Sequence, residues 1–491
     1  MSTTTKSLNG FFWLTGGAGL HFLLRALFVA VLSRLLSPED FGLLSTAMLV
    51  ISLTELFVQI GIGPALIQRT KITKNHISTS ITFSIFAGIA LYLLFLTLNG
   101  FIEEFFRMPG LKGILNWLCL IFPLHLFSQI SYSLLQKEMK FKILAGWDSL
   151  SYLIGYGFVG VTLALYGFGV YSLVIASLIQ ALLYSIFLYR TSNYKIDFAF
   201  KKQEFRELIS VGGGFTLANI LNYFARNGDY IIIGRYMGSV ELGVYSRSYT
   251  LMNMADSLFG NVINKVMFPI FSNIQEDQPK VKIGLLRSLE LLLILLIPTA
   301  IFLFLNSKSI VLGFLGAQWV EAIFPFQILI IGMVPKMATK LFGVTLKGIG
   351  KIKANTYFQL FYMISIVSLS YYFRNETIVI ISYAVSATLF LNFFLQIIYL
   401  LYINLLNLTD LLKTVSITIP LSLLTIISTI VFNRIYQELF QPNDFLSMTL
   451  SVITLGIIIS LIIYFELKLF LGAEGVHIIK KIKNKVNKNE K

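Results

Sequence analysis

Residues 21–42 read HFLLRALFVAVLSRLLSPEDFG, and residues 222–243 read NYFARNGDYIIIGRYMGSVELG. A shift of 201 positions aligns, without a gap, pairs that share charge or size: Arg25 with Arg226, Arg34 with Arg235, Asp40 with Glu241, Gly42 with Gly243, and Glu55 with Asp256. A charge near the middle of a bilayer costs about 3 kcal/mol or more, so matched charges inside apolar segments indicate a functional pathway. The pattern predicts a duplicated membrane transporter with a charged cavity between its halves.

The composition excludes most soluble folds. The chain has 491 residues, of which 56% are hydrophobic and only 13% charged. Cys119 is the one cysteine, which leaves neither a disulfide framework nor a thiolate metal cluster, and four scattered histidines argue against a metal site. The formal charge of +15 lies in short loops and the tail. This distribution favours a cytoplasmic membrane face as the partner and argues against nucleic acid.

The fold predicted from hydropathy is all-α and integral to the membrane. A helix needs about 20 apolar residues to cross a bilayer. The sequence contains about fourteen such windows: 11–33, 42–66, 77–99, 114–135, 147–166, 169–189, 208–234, 243–270, 289–306, 321–346, 355–373, 377–401, 414–432 and 446–465.

The distribution of basic residues predicts the orientation of these spans. With the N-terminus inside, 26 lysines and arginines fall in cytoplasmic segments and 7 in outside segments. The positive-inside rule then predicts that both termini lie in the cytoplasm. No outside loop exceeds about 15 residues, which leaves little room for a catalytic pocket beside the membrane and argues against an enzyme.

The duplication predicts the domain organisation. Residues 1–200 form an N-terminal lobe of spans one to six, and 201–410 form a C-terminal lobe of spans seven to twelve. Because six is even, the two lobes are parallel repeats. Residues 135–142 (LQKEMKFK) are echoed at 346–353 (LKGIGKIK). Residues 411–466 supply two accessory spans, and the lysine-rich tail 467–491 is expected to lie on anionic membrane lipid or in solvent.

Arg25 is the most informative single residue. It lies nine positions before Arg34 at the outer boundary, which places it about 13–14 Å inward and near the middle of the membrane. A snorkelling side chain cannot easily reach water from that depth. Two interpretations remain open: Arg25 lines a cavity and binds substrate, or it pairs structurally with a neighbouring helix, for instance with Glu55.

Two further arginines are candidate substrate-binding residues. Arg226 repeats the position of Arg25, but Asp229 follows three residues later and can neutralise it on the same helix face. Arg247 lies nearer the outer end of its span. Glu55, Asp229 and Asp256 are interpreted either as arginine partners or as sites that bind a coupling H⁺ or Na⁺; no other cofactor is expected.

One glycine motif resembles a nucleotide-binding site in spacing but is not predicted to be one. Gly155, Gly157 and Gly160 have the dinucleotide-binding spacing, yet no strand precedes them and the segment is an apolar helix. The sequence predicts close helix packing at these glycines instead.

Several motifs carry a resemblance to a known family. They are LLSPEDFG at 35–42, GIGPALIQR at 61–69, LLQKEMKFK at 134–142, NGDYIIIGRYMG at 227–238 and ELGVYS at 241–246. Together they resemble the Wzx-type flippase branch of the multidrug/oligosaccharidyl-lipid/polysaccharide exporter superfamily. The resemblance implies two six-helix lobes around a cationic cavity and transport of undecaprenyl-diphosphate-linked oligosaccharide from the inner to the outer leaflet. Asp229 is a departure from this pattern, because its carboxylate weakens the cationic character of the second lobe.

The resemblance also implies the partners. They are the lipid-linked oligosaccharide of an O-antigen, capsule or exopolysaccharide, membrane lipids, and glycan polymerases or other assembly proteins. Three alternative functions predict different sequence features. An ion-coupled exporter of small organic cations predicts carboxylates where arginines stand, a membrane enzyme predicts a long outside loop, and a scaffold gives no reason for matched charges.

Overall fold

The corner between the first two helices shows how the sequence sets the fold. Helix α1 (Thr3–Leu35) ends before Ser37, and α2 (Pro38–Val58) begins at once. The Ser37 amide and hydroxyl donate to Asp40 Oδ2 at 2.9 and 2.7 Å, and the Asp40 amide donates to Ser37 Oγ at 3.2 Å. This reciprocal cap satisfies the free donors of the helix start, and proline at the first helical position fixes the turn.

The computed structural model describes the backbone of residues 3–58, 62–69, 71–192, 194, 196–212, 216–262, 267–439, 446 and 449–450. Within those ranges the side chains are described except at 3–18, 55–58, 62, 64, 209–212, 216–220, 255–262, 437 and 439. The described chain is helical and contains no strand.

The helices after α2 are α3 (Ile62–Gln68), α4 (Lys74–Phe106), α5 (Leu111–Leu118), α6 (Ile121–Lys137), α7 (Phe141–Tyr152), α8 (Val161–Leu165), α9 (Val170–Thr191), α10 (Lys202–Gly212), α11 (Thr216–Tyr236), α12 (Ser239–Val262), α13 (Phe268–Asn273), α14 (Gln278–Leu305), α15 (Ser307–Leu315), α16 (Ile323–Gly348), α17 (Ile352–Tyr372), α18 (Ile378–Tyr402) and α19 (Leu408–Leu439). A π-helix at Leu153–Gly160 joins α7 to α8, and a 3₁₀-helix at Ala317–Ala322 precedes α16.

The predicted all-α membrane class is confirmed. In the part of the chain that the structure describes, eight helical segments are long and apolar enough to cross a membrane: Lys74–Phe106, Leu111–Lys137, Phe141–Leu165, Val170–Thr191, Gln278–Leu305, Ala317–Gly348, Ile378–Tyr402 and Leu408–Tyr436. In the other predicted windows up to residue 432, the described residues are also mainly helical. The window 446–465 lies almost entirely outside the described residues, so the count of fourteen stays a prediction.

The chain forms two compact units. The first comprises Met1–Leu258, Leu315–Gly332 and Lys351–Asn392, and the second comprises Phe259–Phe314, Met333–Gly350 and Phe393–Lys491. In the first unit α1 packs on α7, α4 on α6, α6 on α9, and α11 on both α2 and α17. In the second unit α14 packs along α19, and Lys282 Nζ lies 2.9 Å from Asp410 Oδ2 between them.

The glycine motif at Gly155, Gly157 and Gly160 forms a helix-packing surface. A Cβ added at Gly155 would lie 2.7 Å from the Ala176 carbonyl oxygen of α9, and one at Gly157 would lie 2.5 Å from the ring of Phe28 on α1. Both distances are shorter than real Cβ contacts. Larger residues are therefore excluded, and the prediction of close helix packing is confirmed.

The repeated basic turn adopts the same backbone in both copies. Met139 and Gly350 occupy equivalent positions and have φ angles of 57° and 77°, in the left-handed region. The residues that follow, Lys140 and Lys351, have φ/ψ of −81°/48° and −84°/46° and precede α7 and α17. The sequence echo between 135–142 and 346–353 therefore corresponds to one turn built twice.

Helices α2 and α12 approach each other at their first turns through a pair of aligned glycines. A Cβ at Gly42 would lie 1.7 Å from the carbonyl oxygen of Ser239, and a Cβ at Gly243 would lie 1.8 Å from that of Pro38. Gly42 aligns with Gly243 and Pro38 with Ser239 at the same shift of 201 residues. The contact is thus reciprocal, as expected where a local two-fold axis relates two repeats.

Helix α10 is bound by polar contacts to residues just before and at the start of α4. Glu207 Oε2 lies 2.5 Å from Arg69 Nη2 and 3.4 Å from His76 Nε2, and Gln203 Nε2 donates to Glu207 Oε1 at 3.2 Å. The hydrogen bond from Arg69 is the main reason that the pKa of Glu207 lies below its usual value. The contribution of this contact to stability is complete above the usual pKa of a glutamate and is lost as the pH falls through the lowered pKa of Glu207.

A prediction about stability concerns Trp319. This residue is fully buried, its Nε1 donates to the Ser33 carbonyl oxygen at 2.7 Å, and its ring packs edge-on against Phe41 at 5.5 Å. Trp319→Ala is expected to cost about 3–5 kcal/mol, since it empties a closed site. The loss should appear as a lower melting temperature of the detergent-solubilised protein.

Trp117 offers the matched control, because its side chain is 55% exposed. Trp117→Ala is expected to leave the melting temperature nearly unchanged. Equal melting temperatures for the two variants would contradict a structural role for Trp319.

Candidate functional site

The first element of the site is the face of α1 that carries Arg25. Leu20, Leu23 and Leu27 recur at helical spacing and are 54%, 64% and 54% exposed, which marks an outward apolar stripe. Arg25 is two residues from both Leu23 and Leu27, so it lies about 160° around the helix from them. Its side chain is nevertheless exposed. Arg25 therefore opens to a space on the opposite side of α1 from the apolar stripe.

No described side chain neutralises Arg25 directly. Among the described residues its guanidinium makes neither a hydrogen bond nor an ion pair. Asp148, Tyr152 and Tyr156 lie close enough to feel its charge. A permanently charged fork that is accessible and unpaired is suited to bind an anion.

Arg247 joins Arg25 at this site. It belongs to α12, one turn beyond Gly243, and its Cζ lies 4.3 Å from the ring centroid of Phe41. Its Nε is buried and has no hydrogen-bond acceptor among the described residues. Arg25 and Arg247 lie close enough to repel each other. Two neighbouring cations without an ion-pair partner among the described side chains favour an anionic ligand between them.

Aromatic hydroxyl groups surround the two arginines. Tyr152 and Tyr156 stack with their ring centroids 4.8 Å apart, and Tyr230 meets Tyr245 at 5.4 Å and Tyr249 at 5.7 Å. The charge of Arg247 reaches Tyr152, Tyr156 and Tyr230. These rings supply hydroxyl groups for hydrogen bonds and apolar walls that strengthen the field of the guanidiniums.

His21 and Asp148 lie at one side of the same cluster. His21 Nδ1 is 3.4 Å from Asp148 Oδ2, and its ring meets Tyr152 edge-on at 5.2 Å. Sequence reasoning did not single out this contact. The spacing holds a signal that could have done so. Asp148, Tyr152 and Tyr156 recur every four residues, as do His21 and Arg25 on α1.

Asp229 is fully buried within the tyrosine cluster. The Tyr245 hydroxyl donates to its Oδ2 at 2.6 Å, and the Tyr230 amide donates to its Oδ1 at 2.9 Å. Arg226, three residues earlier on α11, has an exposed side chain. The structure thus gives Asp229 a tyrosine partner that the helix spacing alone did not indicate.

The structure gives fewer contacts for the remaining candidate site residues. Within the described residues Arg226 makes no hydrogen bond or ion pair, and its role in substrate binding stays a prediction. The side chains of Glu55 and Asp256 lie outside the described residues, so their roles as arginine partners or ion sites stay predictions. Among the described side chains no group of three His, Cys, Asp or Glu is positioned to hold a metal ion.

Comparison with known sequences gives a family match. A family model described as "Polysaccharide biosynthesis protein" matches residues 31–324. An uncharacterized membrane protein in the cps region of Klebsiella pneumoniae is 25% identical over 375 residues, which cover 76% of this chain and 77% of that protein. The succinoglycan biosynthesis transport protein ExoT of Rhizobium meliloti is 29% identical over 313 residues, or 63% of this chain and 61% of ExoT.

Comparison with solved structures gives the same class of fold. The lipid II flippase MurJ in an inward closed conformation superposes with a TM-score of 0.73 at 16% identity. The match covers 93% of this chain and 99% of MurJ. The helix order and packing described above are therefore those of a known transporter fold.

Proposed function

Because the chain belongs to the polysaccharide biosynthesis protein family, we propose that it moves an undecaprenyl-diphosphate-linked oligosaccharide from the inner to the outer leaflet of the bacterial cytoplasmic membrane. The oligosaccharide is the repeat unit of an O-antigen, a capsule or an exopolysaccharide. The similarity to ExoT and the fold of MurJ support a transporter of this class.

The observation that carries the proposal is that Arg25 and Arg247 lie near each other and that neither pairs with a carboxylate among the described side chains. Both lie on helices of the membrane domain, and neither forms an ion pair with a described carboxylate. A guanidinium kept without a partner in an apolar environment is expensive. The cost is offset when a ligand that carries at least two negative charges occupies the site.

A lipid diphosphate fits these requirements. Its phosphates and sugars would lose their hydration in hydrocarbon, so the headgroup needs a polar route through the membrane. Arginine presents a planar fork that matches phosphate oxygens with two parallel hydrogen bonds. In this proposal Arg25 and Arg247 each bind one phosphate, and Tyr152 and Tyr230, which feel the charge of Arg247, offer hydroxyl groups to the first sugar.

Alternating access supplies the movement in this proposal. The site loads from the cytoplasmic side, the two repeats rock, and the headgroup leaves on the outer side. Asp229, buried against Tyr245, and the two carboxylates Glu55 and Asp256 are the candidates for H⁺ or Na⁺ coupling. The repeats are the predicted lobes 1–200 and 201–410, with both termini in the cytoplasm and 411–466 and 467–491 as accessory spans and tail.

The proposal includes partners outside the membrane domain. Polymerases that consume the flipped oligosaccharide on the outer face would draw the transport forward even without an ion gradient. Export of small organic cations is the alternative function. The two unpaired arginines speak against it, since they would repel a cationic substrate from the site.

Deletion of the gene tests the proposed function. The expected result is accumulation of one lipid-linked oligosaccharide on the cytoplasmic leaflet and loss of its surface polysaccharide, both restored by the intact gene. Accessibility of the glycan to an added glycosidase in inside-out vesicles, with mass spectrometry of the lipid, reports both the leaflet and the identity. An unchanged pool of lipid-linked glycans in the deletion strain would overturn the proposal.

A further inference from the structure

A second cluster of arginines and aromatic rings lies at three helix ends in the first unit. The residues are Phe105 of α4, Arg235 and Tyr236 of α11, and Tyr371 with Arg374 at the end of α17. We call them the outer ladder, since the orientation predicted above puts these helix ends on the outer face. They are separate from the site of Arg25 and Arg247.

The outer ladder alternates cations and rings without a break. Arg235 Cζ lies 5.2 Å from the ring centroid of Phe105 and 5.7 Å from that of Tyr236. Arg374 Cζ lies 5.5 Å from the Tyr236 ring and 4.2 Å from the Tyr371 ring. Cation–π contacts at exposed sites are worth about 0.5–1 kcal/mol each, so the four contacts hold the groups in a fixed array.

The aromatic members are presented to the surroundings. Phe105, Tyr236 and Tyr371 are 42%, 45% and 46% exposed. The Nη1 atom of Arg235 is buried and has no hydrogen-bond acceptor among the described residues. The ladder therefore offers ring faces and one unsatisfied guanidinium donor at the same place.

The positive charge of the outer ladder is unusual for the outer face of a membrane protein. Arg235 and Arg374 are two of only seven basic residues predicted outside, where the positive-inside rule disfavours them. A purely interfacial belt needs tyrosine and tryptophan rings but no paired arginines. This argues for a ligand that presents both apolar faces and negative charge.

We propose that the outer ladder binds an acidic saccharide, such as a uronic acid unit of the translocated glycan, on the outer side of the membrane. The pyranose ring presents its C–H face to Tyr236 or Tyr371, and its carboxylate accepts hydrogen bonds from Arg235 and Arg374. The inference rests on the proposed function for the source of the saccharide. It adds a receiving site that draws the headgroup away from Arg25 and Arg247.

The test uses the full chain in nanodiscs of zwitterionic lipid and a tetragalacturonate as the probe. Saturation-transfer NMR is expected to show binding of the tetragalacturonate, weakened by added salt, and little binding of the neutral maltotetraose. The variant that carries both Arg235→Gln and Arg374→Gln is expected to bind the acidic probe at least about tenfold more weakly, or ~1.4 kcal/mol.

Arg434→Gln is the matched control, because Arg434 is another exposed arginine predicted outside, lies on α19 and makes none of the cation–π contacts of the ladder. It should bind the probe like the unaltered chain. If the double variant fails to fold, the salt dependence and the preference over maltotetraose in the unaltered chain still decide the matter.

Three results would overturn the proposal: equal binding of acidic and neutral probes, unchanged binding in a folded double variant, or a loss confined to binding of phosphatidylglycerol vesicles. The last would assign the ladder to anionic lipid. Accumulation of lipid-linked glycan in the deletion strain is measured independently, so failure of the ladder and failure of the proposed function are distinguishable.

Discussion

Replacing Arg25 and Arg247 together by alanine is expected to abolish export of the lipid-linked oligosaccharide while the protein still inserts and folds. A hydrogen bond to a charged group contributes about 1.5–3 kcal/mol. Loss of both forks therefore weakens binding of the diphosphate by at least about a hundredfold. Folding should not suffer, since neither side chain has a described ion pair to lose and removal also ends their mutual repulsion.

Complementation of the deletion strain measures this effect. Cells that express the double variant should accumulate the lipid-linked oligosaccharide on the cytoplasmic leaflet, with normal amounts of protein in the membrane. Arg25→Lys should retain an intermediate activity, because lysine keeps the charge but loses the planar fork. Arg434→Ala, which removes an exposed arginine on α19, should export at the normal rate. Full export by a stably inserted double variant would remove the site assignment.

The repeat is the part of the fold that local sequence predicts best. The cap made by Ser37 and Asp40 and the left-handed turn at Met139 and Gly350 depend on a few neighbouring residues. Equivalent sequences therefore give equivalent turns wherever they occur. The hydropathy windows follow the same logic, since span length depends on consecutive residues alone.

Contacts between helices were harder to predict. Helical spacing shows which residues share a face, but it does not say which helix covers that face. The cost of a charge in the membrane singles out Arg25, and the family resemblance adds Arg247. Their proximity to each other depends on the packing of α1 against α7 and of α12 against α2. The aligned arginine, Arg226, shares the position of Arg25 in its repeat, and its part in the site stays a prediction.

Asp229 shows that helical spacing alone also fails to predict the partner of a buried polar side chain. A carboxylate three residues after an arginine can pair with it along the helix. In the folded chain the Tyr245 hydroxyl, from the next helix, approaches Asp229 to 2.6 Å. A short hydrogen bond in a buried place is worth more than an exposed pair, so tertiary packing decides the partner.

The second large effect is expected at the contact between α2 and α12. Gly42→Ala and Gly243→Ala each place a methyl group within 2 Å of a backbone carbonyl oxygen of the opposite helix, at 1.7 and 1.8 Å. Backbone atoms cannot rotate away as a side chain can, so the two helices must separate by about 1 Å or more. Under alternating access, the outer ends must close in the loading state and part for release. Either substitution should therefore trap the transporter away from the closed state and reduce export about tenfold or more.

Spin labels on the two helix starts can separate this effect from simple unfolding. Glu39 and Val240 are exposed beside the contact, and cysteines there, in a chain that lacks Cys119, report the distance between α2 and α12. The unaltered chain should show a short distance, and the glycine variants a longer one with reduced export. Gly100→Ala is the control, since a Cβ there meets nothing within 4 Å and alanine only favours the helix. Normal export with an unchanged distance in the double variant Gly42→Ala, Gly243→Ala would show that the reciprocal glycine contact is not part of the transport cycle.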